Sequence, residues 1–330
     1  MLEVGLAGLG WWGGMMLAAL ADSPHVRIVA ATDLDPGKAA VAARHGVPFV
    51  PTFQSLLATP ALGGVILCTP QDFHAHQIIA AAAAGKHVFC EKPLCLTRAD
   101  AERAVAACAA HGRVLGVGHE RRFEPPVVEL AARIARGDLG TVLQMEGNFS
   151  QDKFLALPPG NWRTSRGNPA GPATATGVHL IDLATAILGP AERVLANLGT
   201  LATTFENGDT LAMSIRFASG ATALLSAILA TPFDGRIAVY GSEGWAEVRD
   251  KAHPEQSEGW TATYVRRGRL REQIEYPPAV AVRANVEAFA IAAAGGAPYP
   301  IATGQMIETV AALEAVFASA ATGQPAQVPG

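Results

Sequence analysis

The chain has 330 residues, 50% of them hydrophobic and 16% charged, with a net charge of −4. That length favours two domains with sizeable cores, and the composition excludes an intrinsically disordered protein. It also argues against a nucleic-acid binder, because the basic clusters at Arg121-Arg122 and from Arg266 to Arg271 are short and local.

From Met1 to about Gly118, short apolar runs alternate with alanine-rich helical stretches. They read LEVGLAGLG, WWGGMMLAALADS, VRIVAATD, PGKAAVAARHG, GGVILCTP, HAHQIIAAAAAGK, HVFCEKP, TRADAERAVAACAAHG and RVLGVGH. Uninterrupted apolar strands between helices predict a parallel sheet covered on both faces, an α/β doubly wound Rossmann domain. The four cysteines, Cys68, Cys90, Cys95 and Cys108, have neither zinc-ribbon nor disulfide-framework spacing, which fits reduced thiols in the cytoplasm. Glu3 stands where a secretory signal carries positive charge. No apolar run is both long and glycine-poor enough to span a bilayer, so no membrane partner is expected.

After the helical PPVVELAARIARGDLG the rhythm changes. TVLQMEGNFSQ, RVLANLGTLATTF, DTLAMSIRFA, GATALLSAILA, GRIAVYGS, WAEVRD and TATYVRRG are strand-like, and turns such as Asn207-Gly208 and Ser219-Gly220 join several of them. This predicts an antiparallel sheet. Two helical segments, VRANVEAFAIAAAG and QMIETVAALEAVFASAATG, close the chain, the second capped by Gly323. The change of pattern sets one boundary, giving a dinucleotide-binding domain over residues 1–120 and a second domain over 121–330.

Gly8-Leu9-Gly10-Trp11-Trp12-Gly13 follows a strand and opens a helix, the context in which this spacing binds a dinucleotide. The first glycine permits the turn, the second admits a pyrophosphate to the backbone, and the third lets helix and strand pack closely. Asp33 ends the second strand, where a carboxylate accepts from an adenosine ribose hydroxyl and repels a phosphate, so NAD is expected over NADP. Asp35 competes for that role but precedes Pro36 and reads better as an N-cap. Trp11 and Trp12 are either core packing or part of the cofactor and substrate wall.

In VILCTPQDFHAHQIIAAAAAGKHVFCEKPL one strand ends in Thr69-Pro70, a helix begins near His74, and another strand ends in Glu91-Lys92-Pro93. Both strand ends fall at the carboxyl edge of the sheet, where open parallel sheets bind ligands, and Lys92 is placed to reach the nicotinamide. With the glycine motif, Thr69-Pro70, AGKHVFCEKP, RRFEP at 121–125 and Gly177-Val178-His179-Leu180-Ile181-Asp182, the chain resembles the Gfo/Idh/MocA oxidoreductase family. The resemblance runs to the closing TGQPAQVP.

The resemblance implies a Rossmann domain followed by an α/β domain with a large open, mainly antiparallel sheet, and dimers or tetramers formed through that sheet. It also implies NAD(P)-dependent redox chemistry on a sugar, cyclitol or related hydroxyl or carbonyl compound. The cofactor positions expected are Gly8, Gly10, Trp11, Trp12, Gly13, Asp33, Thr69, Pro70, His74, Glu91, Lys92 and Pro93. Lys92 and His179 match the family's catalytic lysine and histidine. An ammonium stabilises a developing alkoxide, and an imidazole moves the hydroxyl proton. Glu120, Arg121, Trp162, Arg163, Thr176 and His179 fall at or near substrate positions, with Asn161 beside them.

One departure stands out. Many relatives carry an aspartate four residues before the histidine, whereas this chain has Ala175 there, within GPATATGVH. Asp182 is read as structural. The pair His74 and His76 lacks a third ligand at metal-like spacing, so no metal is expected. Two other functions use the same fold: an NAD-binding regulator or sensor without turnover, and an NAD-dependent glycosidase. Lys92 and His179 favour the dehydrogenase.

Overall fold

Five apolar runs form a parallel sheet: β1 (Leu2–Ala7), β2 (Val26–Thr32), β3 (Gly64–Leu67), β4 (His87–Cys90) and β5 (Leu115–Val117), in the order β2-β1-β3-β4-β5. The computed structural model describes every residue except Ala170. Between the strands run α1 (Trp11–Leu20), α2 (Ala39–Arg44), α3 (Phe53–Leu57), α4 (His74–Ala83) and α5 (Arg98–Ala110). Side chains fix where helices begin: the hydroxyls of Thr52 and Thr97 accept from the backbone N–H groups of Ser55 and Asp100. The strands are apolar throughout because both faces are covered. Val4, Leu6 and Ile66 face Met16 and Leu17, whereas Ala7, Val65 and Leu67 face Leu56 and Ile78.

A second sheet has nine strands. After α6 (Pro125–Ala135) come β6 (Val142–Ser150), α7 (Val178–Leu188), β7 (Ala191–Gly199), β8 (Thr210–Phe217), β9 (Thr222–Ile228), β10 (Asp234–Gly241), β11 (Gly244–Asp250), β12 (Trp260–Arg266) and β13 (Glu272–Tyr276). Helices α8 (Ala281–Ala293) and α9 (Thr303–Thr322) and the short β14 (Ala326–Gln327) finish the chain. The order is β13-β12-β11-β10-β6-β9-β8-β7-β14, antiparallel except for the parallel pair β6 and β9. One face packs on α6, α7 and part of α9. The other carries exposed Leu195 and Leu224 and a hollow of about 620 Å³ floored by β6 to β10.

The chain divides into two units, Met1–Phe123 with Val280–Val310, and Glu124–Ala279 with Ala311–Gly330. The chain passes between the units after Phe123, after Ala279 and after Val310, where the sequence suggested one boundary. The cause is α8, whose Val286, Phe289 and Ala290 complete the apolar layer over Val4, Leu6 and Phe89. Asn285 and Tyr299 fasten the same segment, both donating to the Val117 carbonyl at 2.9 and 3.0 Å. No helix among the described residues is long and apolar enough to cross a membrane.

Phe289 is fully buried, its ring 5.7 Å from that of Phe89, and a Cβ at Gly116 would lie 3.0 Å from it. Phe289→Ala should therefore cost about 3–5 kcal/mol of stability, read from the shift of the denaturant midpoint at unchanged slope.

Candidate active site

In the first unit, each parallel strand is followed within three residues of its carboxyl end by one of the expected residues: Gly8, Asp33, Thr69, Lys92 and Glu120. The glycines divide the labour as their spacing predicts. Gly8 has φ +92°, and a Cβ there would lie 2.6 Å from the Cys68 carbonyl. A Cβ at Gly13 would lie 2.0 Å from the Gly8 oxygen, so only glycine lets α1 seat against the turn. Gly10 is different: a Cβ there would meet nothing within 4 Å. The second glycine faces open space at a helix N-terminus, the cradle a diphosphate requires, and the residues present fit a dinucleotide.

Asp33 is tied to that turn, its Oδ2 accepting from the Leu9 N–H at 2.6 Å and its Oδ1 from the Asp35 N–H at 2.9 Å. Asp35 caps the following turn by accepting from the Gly37 N–H at 2.8 Å, which leaves Asp33 as the carboxylate at the strand end. Trp11 is 54% exposed and so is no core residue, whereas Trp12 is mostly buried beside it, their rings 6.0 Å apart.

His74 is buried, with Nε2 2.9 Å from the Thr69 carbonyl and Nδ1 2.9 Å from the Pro93 carbonyl. It offers no ring nitrogen to a ligand. It is a tie between two strand ends, and this refines the direct cofactor contact expected for it. Burial pulls its pKa down, against the pull of the carbonyls around it. The Thr69 hydroxyl is likewise used internally, on Gln77 at 2.6 Å.

Glu91 folds back so that Oε2 accepts from the Lys92 N–H at 3.2 Å, and a Cβ at Gly118 would strike the carboxylate at 2.6 Å. Burial first, then the neighbouring Glu120 carboxylate, push Glu91 up to about 8. The Trp12 indole N–H faces this carboxylate and opposes the shift, without closing a well-formed hydrogen bond. Glu120 and Arg121 sit in a 3-10 turn and are themselves buried, Arg121 to 1% exposure.

In the second unit, a turn of π-helix (Ala173–Gly177) leads into α7 and places His179 in its first turn. The His179 ring packs on Phe149 at 5.6 Å. The Thr176 hydroxyl is buried and donates to the Pro172 carbonyl at 3.4 Å, so its place is in the π-turn. Trp162, Arg163 and Thr164 form a 3-10 turn capped by Asn161, and the Arg163 guanidinium lies 4.5 Å over the Trp162 ring, its pKa pulled down by burial.

Sequence reasoning missed a cluster next to His179. Phe149 also packs on His253 at 5.9 Å; His253 Nε2 lies 2.7 Å from Gln151 Oε1, and its Nδ1 3.0 Å from Lys153 Nζ, which also pairs with Glu255. No local pattern announces it, because the two segments lie about a hundred positions apart and meet only through the sheet. Among the described residues, no group of three or more His, Cys, Asp or Glu is arranged to hold a metal ion.

Comparison with known proteins gives the same outline. Residues 2–119 match the model of an oxidoreductase family with an NAD-binding Rossmann fold, and residues 127–247 match the GFO/IDH/MocA C-terminal domain. Among curated relatives, inositol 2-dehydrogenase of Rhizobium meliloti is 32% identical over 74% of this chain and 74% of its own. D-xylose 1-dehydrogenase (NADP(+)) 2 of Haloferax volcanii is 28% identical over 97% of each. Among solved structures, a putative NADPH-dependent oxidoreductase from Desulfitobacterium hafniense superimposes with a TM-score of 0.90 at 26% identity, over 99% of this chain and 97% of that one.

The two inner glycines separate folding from binding. Gly10→Ala should melt within about 2 °C of the parent yet bind NADH at least about tenfold more weakly, about 1.4 kcal/mol. Gly13→Ala should lose thermal stability as well. Thermal melts with NADH fluorescence titrations check both.

Proposed function

We propose that this chain, which belongs to the Gfo/Idh/MocA oxidoreductase family, is an NAD-preferring dehydrogenase or reductase acting on the CH–OH or carbonyl group of a sugar, cyclitol or related compound. The observation that carries this reading is the row of strand ends in the first unit, which puts an open glycine cradle, a fixed aspartate and Lys92 on one edge of one sheet. The backbone N–H groups at Gly10 and the start of α1 hold the diphosphate, and the remaining lone pairs of Asp33 accept from the adenosine ribose. The nicotinamide cofactor supplies the chemistry of hydride acceptance in oxidation and donation in reduction.

Lys92 stabilises negative charge on the substrate oxygen as the C–H bond is broken or formed, a task suited to an ammonium. His179 takes the hydroxyl proton in oxidation and returns it in reduction. Arg163, stacked on Trp162, presents a planar donor to an oxygen-rich substrate. The resemblance supports a homodimer or homotetramer built through the nine-stranded sheet, and the cysteine pattern supports a cytoplasmic location.

A panel of sugars, polyols and cyclitols followed at the nicotinamide absorbance tests the activity. On any substrate that turns over, kcat/KM with NAD should exceed that with NADP at least about tenfold, since Asp33 repels a ribose phosphate and the following Leu34 offers no cation. Equal efficiency with NADP would remove Asp33 from its assigned role.

His179→Ala should lower turnover by roughly 10²- to 10⁴-fold and erase the near-neutral limb of the pH–rate profile, with NADH binding kept. A profile that superimposes on the parent's would reduce His179 to a packing residue.

A further inference from the structure

The connection between β7 and β8 is expected from sequence to be strand to residue 205 and then a tight turn at Asn207-Gly208. It is instead a loop over residues 200–209, closed on one buried carboxylate. Asp209 accepts from the N–H groups of Leu201, Ala202 and Thr203 at 2.8–3.1 Å and from the hydroxyls of Thr203 and Thr210. Burial alone would raise this carboxyl; the donors outweigh it and hold it at about 2. The loop is therefore preset before it touches anything else.

What it touches is the segment that carries Trp162 and Arg163. Asn207 is 4% exposed, and its side-chain amide donates to the Arg163 carbonyl at 2.8 Å and the Asn168 carbonyl at 2.8 Å. Its own carbonyl accepts from the Gly171 N–H at 2.8 Å. Glu206 adds two more bonds, its N–H to the Thr164 carbonyl at 3.0 Å and its carboxylate to the Arg166 N–H at 3.0 Å. A Cβ at Gly171 would lie 2.7 Å from the Asn207 amide oxygen, so the Asn207 side chain lies directly against the Gly171 backbone. Residues 165–169 form no helix or strand ladder of their own, and these bonds take up part of their polar backbone groups.

We propose that Asn207 is a positioning residue for substrate specificity. By holding the carbonyls of Arg163 and Asn168 and the N–H of Gly171, it fixes the direction in which the Arg163–Trp162 pair meets the substrate. This rests on the assignment of Arg163 to substrate binding made above. The amide nitrogen supplies both donors here, one N–H to each carbonyl. A carboxylate of the same shape supplies none and sets charge against two carbonyl oxygens.

The test compares Asn207→Ala, Asn207→Asp, Arg163→Ala and the Asn207→Ala/Arg163→Ala double variant with the parent. Asn207→Ala should raise the substrate KM about tenfold with kcat within about twofold and NADH affinity unchanged, and Asn207→Asp should be worse than Ala. In the Arg163→Ala background, Asn207→Ala should add little further to KM, because the two act through one contact. Additive effects, or an unchanged KM in Asn207→Ala, would overturn the proposal. An Arg163→Ala enzyme with the parent's KM would overturn both the Arg163 assignment and the route through it. Amide hydrogen exchange reads the clamp without substrate: exchange over residues 162–171 should quicken in Asn207→Ala while β7 and β8 stay protected, and unchanged exchange would refute the clamp. If no panel compound turns over, the dehydrogenase reading falls, and the exchange result still decides the clamp. Should Asn207→Ala fail to fold, Glu206→Ala, which releases only the Arg166 N–H, carries the same measurements with a smaller expected rise in KM.

Discussion

Three stretches of backbone converge at the end of β1 with no side chain between them. The turn at Gly8 runs against the carbonyl of Cys68, and α1 rests on the Gly8 oxygen at Gly13. The rest of the first unit's edge depends on that approach. Because the helix starts flush with the sheet, its unpaired N–H groups open directly onto the edge, where they attract an anion. The same approach carries Leu9 to Asp33 and Trp12 towards Glu91, so both ends of the edge are referenced to one contact. A methyl group inserted at Gly8 or Gly13 would disturb the whole row of strand ends.

Electrostatics at the other end of the edge follow from burial. Glu91 lies next to Lys92 in the chain but gives its carboxyl to the Lys92 backbone N–H and to the space over Gly118, away from water and beside Glu120. Desolvation and a second carboxylate both disfavour its charge, so it keeps a proton where an exposed glutamate would have lost one. A protonated Glu91 does not neutralise the neighbouring ammonium.

Much of this was legible in the sequence wherever a residue's chemistry acts over a few neighbours. The apolar runs from Val4 to Val117, the glycine turn, the Asp35 N-cap and the Gly323 cap are all short-range statements, and the structure agrees with each. What was not legible depends on partners far along the chain. Nothing local shows that Arg121 is buried, and His74 reads as a cofactor contact until Thr69 and Pro93 claim both nitrogens. LATTF has the composition of a strand, but the β7 ladder ends at Gly199 because Asp209 gathers the next N–H groups into a loop. The cluster of Gln151, Lys153, His253 and Glu255 is invisible for the same reason, since nothing local marks either half of it.

The return of residues 280–310 to the first unit also bears on how the protein is made. Strands β1 to β5 are synthesised early, yet the apolar layer of Val4, Leu6 and Phe89, partly covered by α1, is completed only by Phe289 and its neighbours on α8. A nascent chain therefore carries an unfinished sheet through the synthesis of almost all of the second unit. Closing that gap brings together segments separated by most of the chain's length, a slow step for a polymer and one during which exposed apolar surface invites association. The two units are consequently not modules that can be exchanged by cutting at a single point. A fragment ending at Phe123 would emerge from the ribosome with the part of its sheet that α8 covers left bare.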